Sequence, residues 1–209
     1  MELIAATKED NTQKVKELMS QKDIDVNYGD PYYHNWTSLH LACSRGNLEI
    51  VIIFLQDIRV DVNKQDNELG ITPFYLACQD GKTRVVNYMI QYQKVDINKP
   101  NNDSKTPIWI ASDNGYTQVV QAILQSGRKL NLDAKYENKT ALEQANEKGR
   151  QEIVKLLNEY ISIHPDHFKE FLESQFITGQ LDIIRYGLKD HITTLLSLFS
   201  TYHTLTSIK

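Results

Sequence analysis

One six-residue motif recurs along the chain at an almost constant interval. Its four copies are TSLHLA from Thr37, TPFYLA from Thr72, TPIWIA from Thr106 and TALEQA from Thr140. The steps between these threonines are 35, 34 and 34 residues, and a glycine follows each threonine by nine residues. A fixed period of this length indicates supersecondary units that bury their apolar faces only by stacking on one another. The array, rather than the single unit, is therefore the folding domain.

The residue types in the motif have physical reasons. A threonine can cap a helix by accepting a backbone N–H bond, and the prolines after Thr72 and Thr106 suit the first helical turn. Glycine permits the positive φ that ends one helix before the next begins. Small side chains suit the closest approach of neighbouring helices, and alanine closes every copy, at Ala42, Ala77, Ala111 and Ala145. The motif thus predicts a helix, a glycine turn and a second helix.

Two further elements keep the same register. An apolar pair follows each glycine, at Ile50-Val51, Val85-Val86, Val119-Val120 and Ile153-Val154. An aliphatic-asparagine pair closes the units, at Val26-Asn27, Val62-Asn63, Ile97-Asn98 and Leu130-Asn131. Together these residues resemble the ankyrin repeat, whose signature TPLHxA belongs to a unit of a turn and two helices. The resemblance covers residues 1 to about 160, with Asn11 in the glycine position of an N-terminal unit, and implies an all-α solenoid of helix-turn-helix units joined by β-hairpin-like loops.

The register divides the chain into a repeat array over residues 1–162 and a divergent remainder over 163–209. The array comprises an N-terminal capping unit over about 1–30, followed by units over about 31–65, 66–100, 101–134 and 135–162. In the remainder, residues 179–186 resemble the second helix of a unit, and residues 189–202 have the apolar spacing of an amphipathic helix. We expect a degenerate sixth unit and a C-terminal capping helix there; a helix that docks a partner or self-associates is the alternative.

Composition narrows the class of partner. The formal net charge is -4, so the chain lacks the excess of lysine and arginine that neutralises nucleic-acid phosphates. The first ten residues, MELIAATKED, do not combine a basic start with a long apolar stretch, and no long apolar run follows, so we expect no membrane insertion. The two cysteines lack metal-ligand spacing and suit a reducing compartment. We therefore expect a cytoplasmic protein, with the nucleus as a further possibility.

Residue patterns give no support to catalysis. His40 occupies the histidine position of the signature, where the other units carry Tyr75, Trp109 and Glu143, so it is interpreted as structural. Cys43 and Cys78 are interpreted as small buried residues in place of alanine. The acidic residues between the units alternate with lysines and predict a solvated mixed-charge edge; they are Asp61, Asp66, Glu68, Asp96 and Asp103. We expect no catalytic site, no cofactor and no metal.

The hypothesis that follows is a non-catalytic module that binds another protein on a concave face made of hairpin tips and first helices. We expect the chain to be monomeric on its own. The alternatives are a small enzyme or a self-associating structural unit, with the activity in the divergent segment 160–209. The expected contact residues are Tyr33, His34, Trp36, Ser44 and Arg45 in the second unit, Glu68, Leu69, Ile71, Gln79 and Asp80 in the third, Asn102, Asp103, Lys105, Asp113 and Asn114 in the fourth, and Tyr136, Glu137, Lys139, Glu147 and Lys148 in the fifth.

An aromatic group in the first hairpin is the leading candidate for a contact site. It comprises Tyr28, Tyr32, Tyr33 and Trp36, and exposed tyrosine and tryptophan often anchor interfaces. The first hairpin is also the longest, with ten residues from Asn27 to Thr37 against nine and eight later. The sequence leaves two interpretations equally open: rings that face a partner, or rings that fold back onto their own neighbours.

Overall fold

The structure is a computed structural model and describes residues 1–164. Within that range each unit consists of a first and a second helix: α1 (Glu2–Lys8) and α2 (Thr12–Met19), α3 (Ser38–Arg45) and α4 (Leu48–Gln56), α5 (Pro73–Gln79) and α6 (Thr83–Met89), α7 (Pro107–Asn114) and α8 (Thr117–Leu124), α9 (Ala141–Glu147) and α10 (Gln151–Ile163). A two-stranded sheet, β1 (Gly29–Asp30) and β2 (Trp36–Thr37), precedes α3. The expected all-α solenoid is confirmed. The predicted sixth unit and capping helix, beyond residue 164, lie outside the described residues.

The predicted caps and turns are present. The four motif threonines are the N-caps of α3, α5, α7 and α9, and each side chain accepts a hydrogen bond from the backbone N–H three residues on. Pro73 and Pro107 begin α5 and α7, where a missing N–H leaves no hydrogen bond unmade. The four turn glycines all have φ between 66° and 79°. The local conformation therefore follows directly from the motif residues.

The N-terminal unit corrects one expected equivalence. Asp10, with φ of 52°, takes the left-handed position between α1 and α2. Asn11, expected in the place of glycine, is instead the N-cap of α2 and accepts from the Lys14 N–H, as Asn47 caps α4 by accepting from Ile50. Aspartate is one of the few residues besides glycine that tolerates this conformation. The register of the first unit is thus shifted by one residue from the prediction.

The core runs continuously through two layers of helices. First helices pack on the first helices of the neighbouring units, and second helices pack in the same way, with both layers in contact within each unit. The motif alanines are fully buried where first helices meet, as expected for small residues at close contacts; they are Ala42, Ala77, Ala111 and Ala145. A smaller cluster of Ile71, Tyr75 and Leu76 lies beside the half-buried Trp36.

A ladder of asparagines joins the units, each asparagine lying at the start of the loop that leads into the next unit. The Asn63 side chain donates to the Lys94 carbonyl at 2.7 Å and accepts from the Asp96 N–H at 2.8 Å. Asn27 makes the same pair of bonds to the second unit and Asn98 to the fourth, with all four distances between 2.8 and 2.9 Å. Each closing asparagine therefore satisfies both a carbonyl and an N–H of the unit that follows.

Basic side chains add further hydrogen bonds between the same units. Arg59 follows α4, a helix that lacks the usual terminal glycine, and reaches back to the carbonyls of Met19 at 2.6 Å and Gln21 at 2.8 Å. Lys64 donates to the carbonyl of Asn27 at 2.7 Å. These carbonyls lie at or beyond the end of α2, where no intrahelical N–H is available to them. A side chain of one unit thus completes the backbone hydrogen bonding of the unit before it.

Among the described residues, the bonds between units made by this ladder stop before Asn131. Its side-chain oxygen accepts from the Ala134 N–H, three residues on, and within the described part of the chain its amide bonds to no later unit. The second helix of the fifth unit, α10, has 13 residues where the other second helices have seven to nine. It therefore continues through positions at which the earlier units have already turned into a loop.

The ladder predicts unequal effects of the same substitution. Asn63→Ala removes two hydrogen bonds between units, so we expect it to lower the free energy of unfolding by about 1–3 kcal/mol. Asn131→Ala removes one bond within its own loop and should cost less than about 1 kcal/mol. Urea unfolding followed by circular dichroism measures both. Equal losses would show that the ladder does not couple the units.

Glycines also allow close contact between units. Gly81, with φ of 66°, lies under the ring of Tyr116 from the next unit, and a Cβ at this position would be 2.7 Å from Tyr116 Cε1. Gly149 has nearly the same φ, 68°, but no contacting atom of residues 1–164 lies within 4 Å of its Cβ position. Both glycines adopt a left-handed backbone conformation, but only Gly81 lies against a side chain of the next unit.

Paired alanine substitutions separate these two effects. Gly149→Ala should cost about 1–2 kcal/mol because of the left-handed backbone alone. Gly81→Ala should cost at least about 1 kcal/mol more, because the methyl group also displaces the Tyr116 ring. Thermal and urea unfolding give both values, and adding Tyr116→Ala to Gly81→Ala should recover part of the difference. If adding Tyr116→Ala recovers no stability, the extra cost of Gly81→Ala does not come from the Tyr116 ring.

Candidate functional site

The hairpin loops and the first helices together form one side of the array, which we call the hairpin face. Its loops are the first hairpin (27–37), the second (63–72), the third (98–106) and the fourth (131–140). Gly29 pairs with Thr37 and Asp30 with Trp36 in the first hairpin, and a single bridge joins Tyr136 to Lys139 in the fourth. The tips contain left-handed residues, among them His34, Asn35, Ser104, Glu137 and Asn138.

Buried polar side chains fix the hairpins from inside. Asp66 is 7% exposed and accepts hydrogen bonds from the N–H groups of Leu69 and Ile71 and from the indole of Trp36. Asn101 accepts in the same way from two N–H groups of the third hairpin. The interpretation of Asp66 as part of a solvated edge was therefore wrong: its carboxylate replaces water for backbone groups that would otherwise lack partners.

Adjacent hairpin tips are bonded to each other. The Asn67 N–H donates to the His34 carbonyl at 3.0 Å, and the Asn102 N–H donates to the Leu69 carbonyl at 2.8 Å. The imidazole of His34 also contacts the carboxylate of Glu68. Backbone bonds between the first, second and third tips make a single fixed surface rather than three independent loops.

Some rings of the aromatic group in the first hairpin face solvent, and others fold back onto their own neighbours. Trp36 faces inward: it stacks on His40 and its indole N–H donates to Asp66. Tyr33 is 48% exposed and packs its edge against Trp36, while Tyr32 is 93% exposed. Tyr28 is half-buried and lines a small cavity of about 90 Å³ beside α1. The tryptophan thus packs inward and supports the outward-facing Tyr33, while Tyr32 extends into solvent.

A second aromatic site occupies the third and fourth hairpins. The Trp109 and Tyr136 rings meet edge to face at 5.3 Å, and Lys105 Nζ lies 3.9 Å from the centre of the Tyr136 ring. An ammonium group over a tyrosine ring is attracted by the negative face of the ring. The Glu137 carboxylate beside it raises the pKa of the Tyr136 hydroxyl. This lysine is therefore held in place by the hairpin face.

The ends of the first helices are cross-linked by polar side chains. Ser44 donates to Asp80 at 2.5 Å, and the Gln144 amide donates to Asp113 at 2.6 Å. Further bonds join Asn114 to the Gln79 carbonyl, Lys139 to Glu147, and Lys148 to Asp113. At the N-terminal end, hydrogen bonds from Arg45 lower the pKa of Asp10. The floor of the hairpin face is thus a connected polar network.

The predicted contact residues differ in accessibility. The exposed ones are Tyr33, His34, Arg45, Glu68, Leu69, Asn102, Asp103, Asn114, Glu137, Glu147 and Lys148. The partly buried ones are Trp36, Ser44, Gln79, Asp80, Lys105, Asp113, Tyr136 and Lys139. Ile71 is only 4% exposed and packs against Tyr75 and Leu76, so its expected direct contact with a partner was wrong. Sequence register alone did not reveal that its side chain points into the cluster beneath the hairpins.

Three residues of this side were absent from the predicted contact set. Lys8 bonds Asp30 at 3.0 Å and lies over the Tyr33 ring, and Asp10 pairs with Arg45. Both belong to the N-terminal unit, which lacks the six-residue motif and so gave no register for them. Tyr32 was recognised in the aromatic group, but only the structure shows that it is the more exposed tyrosine.

His40 is a structural residue, as predicted. Its side chain is fully buried; Nδ1 accepts from the Thr37 N–H at 3.2 Å, so Nε2 carries the proton and donates to the Ile71 carbonyl at 3.0 Å. Trp109, at the equivalent position, donates through its indole to the equivalent carbonyl of Lys139. Burial lowers the pKa of His40 to about 4. Two different side chains thus make the same bond between units.

Other candidate chemistry in the described residues is limited. Cys43 and Cys78 are fully buried, and burial raises the pKa of both thiols, which keeps them in the unreactive protonated form. Residues 1–164 contain no cluster of three or more histidine, cysteine or acidic side chains arranged to hold a metal ion. None of the helices in this range is both long and apolar enough to span a lipid bilayer.

The buried histidine predicts a pH dependence of stability. An unfolded imidazole titrates near pH 6.5 and the folded one near 4, so the unfolded state binds more protons between these values. The contribution of His40 is present above pH 6.5 and is lost as the pH falls towards 4, by about 2 kcal/mol between pH 7 and pH 5. Urea unfolding at both pH values measures the loss. His40→Gln, which cannot titrate, should remove most of it, and an unchanged loss in that variant would assign the effect to other groups.

Comparison with known proteins agrees with this geometry. The family described as ankyrin repeats (3 copies) matches residues 3–66, 58–134 and 75–168, which together cover most of the chain. No curated protein matches the sequence. Because the repeat match, the capping threonines, the glycine turns and the stacked helix pairs all fall in one register, the chain belongs to the ankyrin repeat family.

Proposed function

We propose that this protein is a non-catalytic interaction module that binds a partner protein on its hairpin face. Ankyrin repeats generally mediate interactions between proteins, and the family is typically not enzymatic. The partner surface would comprise the exposed tips of the hairpins together with the polar ends of the first helices. We propose further that the chain is monomeric without its partner and acts in the cytoplasm.

The observation that carries this proposal is a surface that is both exposed and fixed. Tyr32, Tyr33 and Leu69 present apolar area to solvent, while the backbone bonds between tips hold the loops beneath them. A surface already ordered before binding loses little conformational entropy when the partner arrives. Aromatic side chains in such positions provide much of the affinity of many interfaces.

Affinity capture with two matched variants tests this proposal. The chain carrying Tyr33→Ala and Leu69→Ala should lose its captured partner by more than about tenfold, because both truncated side chains are anchors on the proposed surface. Ile71 is left unchanged because its substitution would damage the core.

The control carries Asn87→Ala and Gln121→Ala, two exposed positions on the second helices α6 and α8. It should retain the partner at the level of the original chain. Circular dichroism melts confirm that both variants are folded. If the hairpin variant retains its partner and the control loses it, the binding surface lies on the second helices and the proposal is wrong.

A further inference from the structure

Three exposed apolar side chains lie on two neighbouring hairpins; the other exposed large apolar side chains of residues 1–164 are Met1, Ile58, Tyr116 and Ile163. Among the described residues, Tyr32, Tyr33 and Leu69 are 93%, 48% and 44% exposed, and all three lie at the tips of the first and second hairpins. The bonds between these tips place them on one surface. Together with Glu68 and Asp103, on the second and third tips, we call this surface the tyrosine patch.

The Tyr32 ring is free to receive a group. Its backbone N–H is held by Asp30, but within the described residues the side chain makes no hydrogen bond, ring contact or ion contact. Two other tyrosines of the hairpin face hold cations: Lys8 Nζ lies 5.2 Å from the Tyr33 ring centre, and Lys105 Nζ lies 3.9 Å from that of Tyr136. A positively charged side chain is therefore the group that Tyr32 would attract.

The charge around Tyr32 favours the same kind of group. Within residues 1–164, Glu68 pairs with the imidazole of His34 alone and Asp103 has Lys105 at 3.7 Å; both carboxylates are about half exposed. The lysines of these hairpins are turned towards structural partners, since Lys64 bonds the Asn27 carbonyl and Lys105 lies over aromatic rings. The patch thus presents the free ring of Tyr32 together with two half-exposed carboxylates, each of which has one basic neighbour.

We propose that the tyrosine patch docks a basic, extended segment of the partner protein. This inference rests on the proposed function and adds the chemistry of the partner. One lysine or arginine would lie on the Tyr32 ring, further basic side chains would pair with Glu68 and Asp103, and an apolar side chain between them would cover Leu69. An acidic segment would be repelled by the same carboxylates.

The spacing of the units sets the spacing of the basic residues. Packed helices of neighbouring units are about 8–10 Å apart. Three residues of a polyproline-type extended chain span about 9 Å and return to the same side. Basic residues three positions apart therefore meet successive hairpin tips.

Binding of synthetic peptides to the full chain tests the proposal. The probe is a fluorescent 12-residue peptide with lysine at every third position and alanine and proline between, measured by anisotropy at low ionic strength. We expect replacement of the lysines by glutamine to weaken binding at least about tenfold, and replacement by glutamate to abolish it. A peptide of the same composition with its four lysines adjacent should bind several-fold more weakly. Equal binding of the glutamine peptide or of the clustered peptide would overturn the proposal.

Variants of the chain locate the site. Tyr32→Ala should weaken the lysine peptide about three- to fivefold, as for an exposed cation over a ring. Glu68→Lys combined with Asp103→Lys should weaken it at least about tenfold. The charge control is Glu17→Lys, at an exposed position on α2. It makes the same charge change as Glu68→Lys alone, with which it is compared, and should weaken binding less than about twofold. Equal effects of Glu17→Lys and Glu68→Lys alone would show diffuse attraction instead of docking.

Failure of this inference can be told apart from failure of the proposed function. A captured partner that depends on Tyr33 and Leu69, but binds through a segment without basic residues, would refute the inference and leave the hairpin face as the binding surface. A partner that ignores all hairpin-face substitutions would refute both.

Discussion

The structure depends on the contact between neighbouring units, because a single helix pair of this array cannot bury its own apolar face or complete its own hydrogen bonds. A pair of short helices has too little apolar area to fold alone, so its alanine-bearing face is buried only by the next pair. The same is true of hydrogen bonds. Side chains of one unit bond backbone groups of its neighbour. They are the ladder asparagines, the arginine that bonds the Met19 carbonyl, and the histidine and tryptophan that bond the next hairpin.

This dependence also explains why loops can serve as a recognition surface. Exposed loops are usually mobile because few contacts cross them. Here Asp66 fixes the second hairpin from beneath, and backbone bonds join the tips on either side. Tyr32 and Leu69 can therefore be presented to solvent without the loss of order that such exposure usually brings. The stability of the array and the precision of its face have the same physical origin.

The motif residues predicted the helices, caps and turns because these depend on local geometry. Thr106 caps α7 and Gly115 ends it for reasons that hold in any helix. The contacts between units were less predictable. Ile71 and Leu69 are both aliphatic hairpin residues, yet one is buried and the other exposed, and only the path of the loop over Trp36 decides which. Asp66 likewise looks like a surface charge until the hairpin closes around it. In the first unit, where the motif is missing, a one-residue error in the register of Asn11 was the result.

The asparagine ladder also governs how an array of this kind can change its length. Asn27 bonds two backbone groups of the next unit, and Asn63 bonds the equivalent groups one unit later. Removing one whole period would bring Asn27 opposite the backbone groups that Asn63 now bonds, so each remaining asparagine could still make its two hydrogen bonds. Gain or loss of part of a unit would leave one asparagine without its backbone partners. The hairpins already differ in length, so insertions within them are compatible with the ladder. Genetic duplication or deletion in whole periods is thus the change that the backbone accepts, and variation in recognition is confined to the hairpin residues that follow each asparagine.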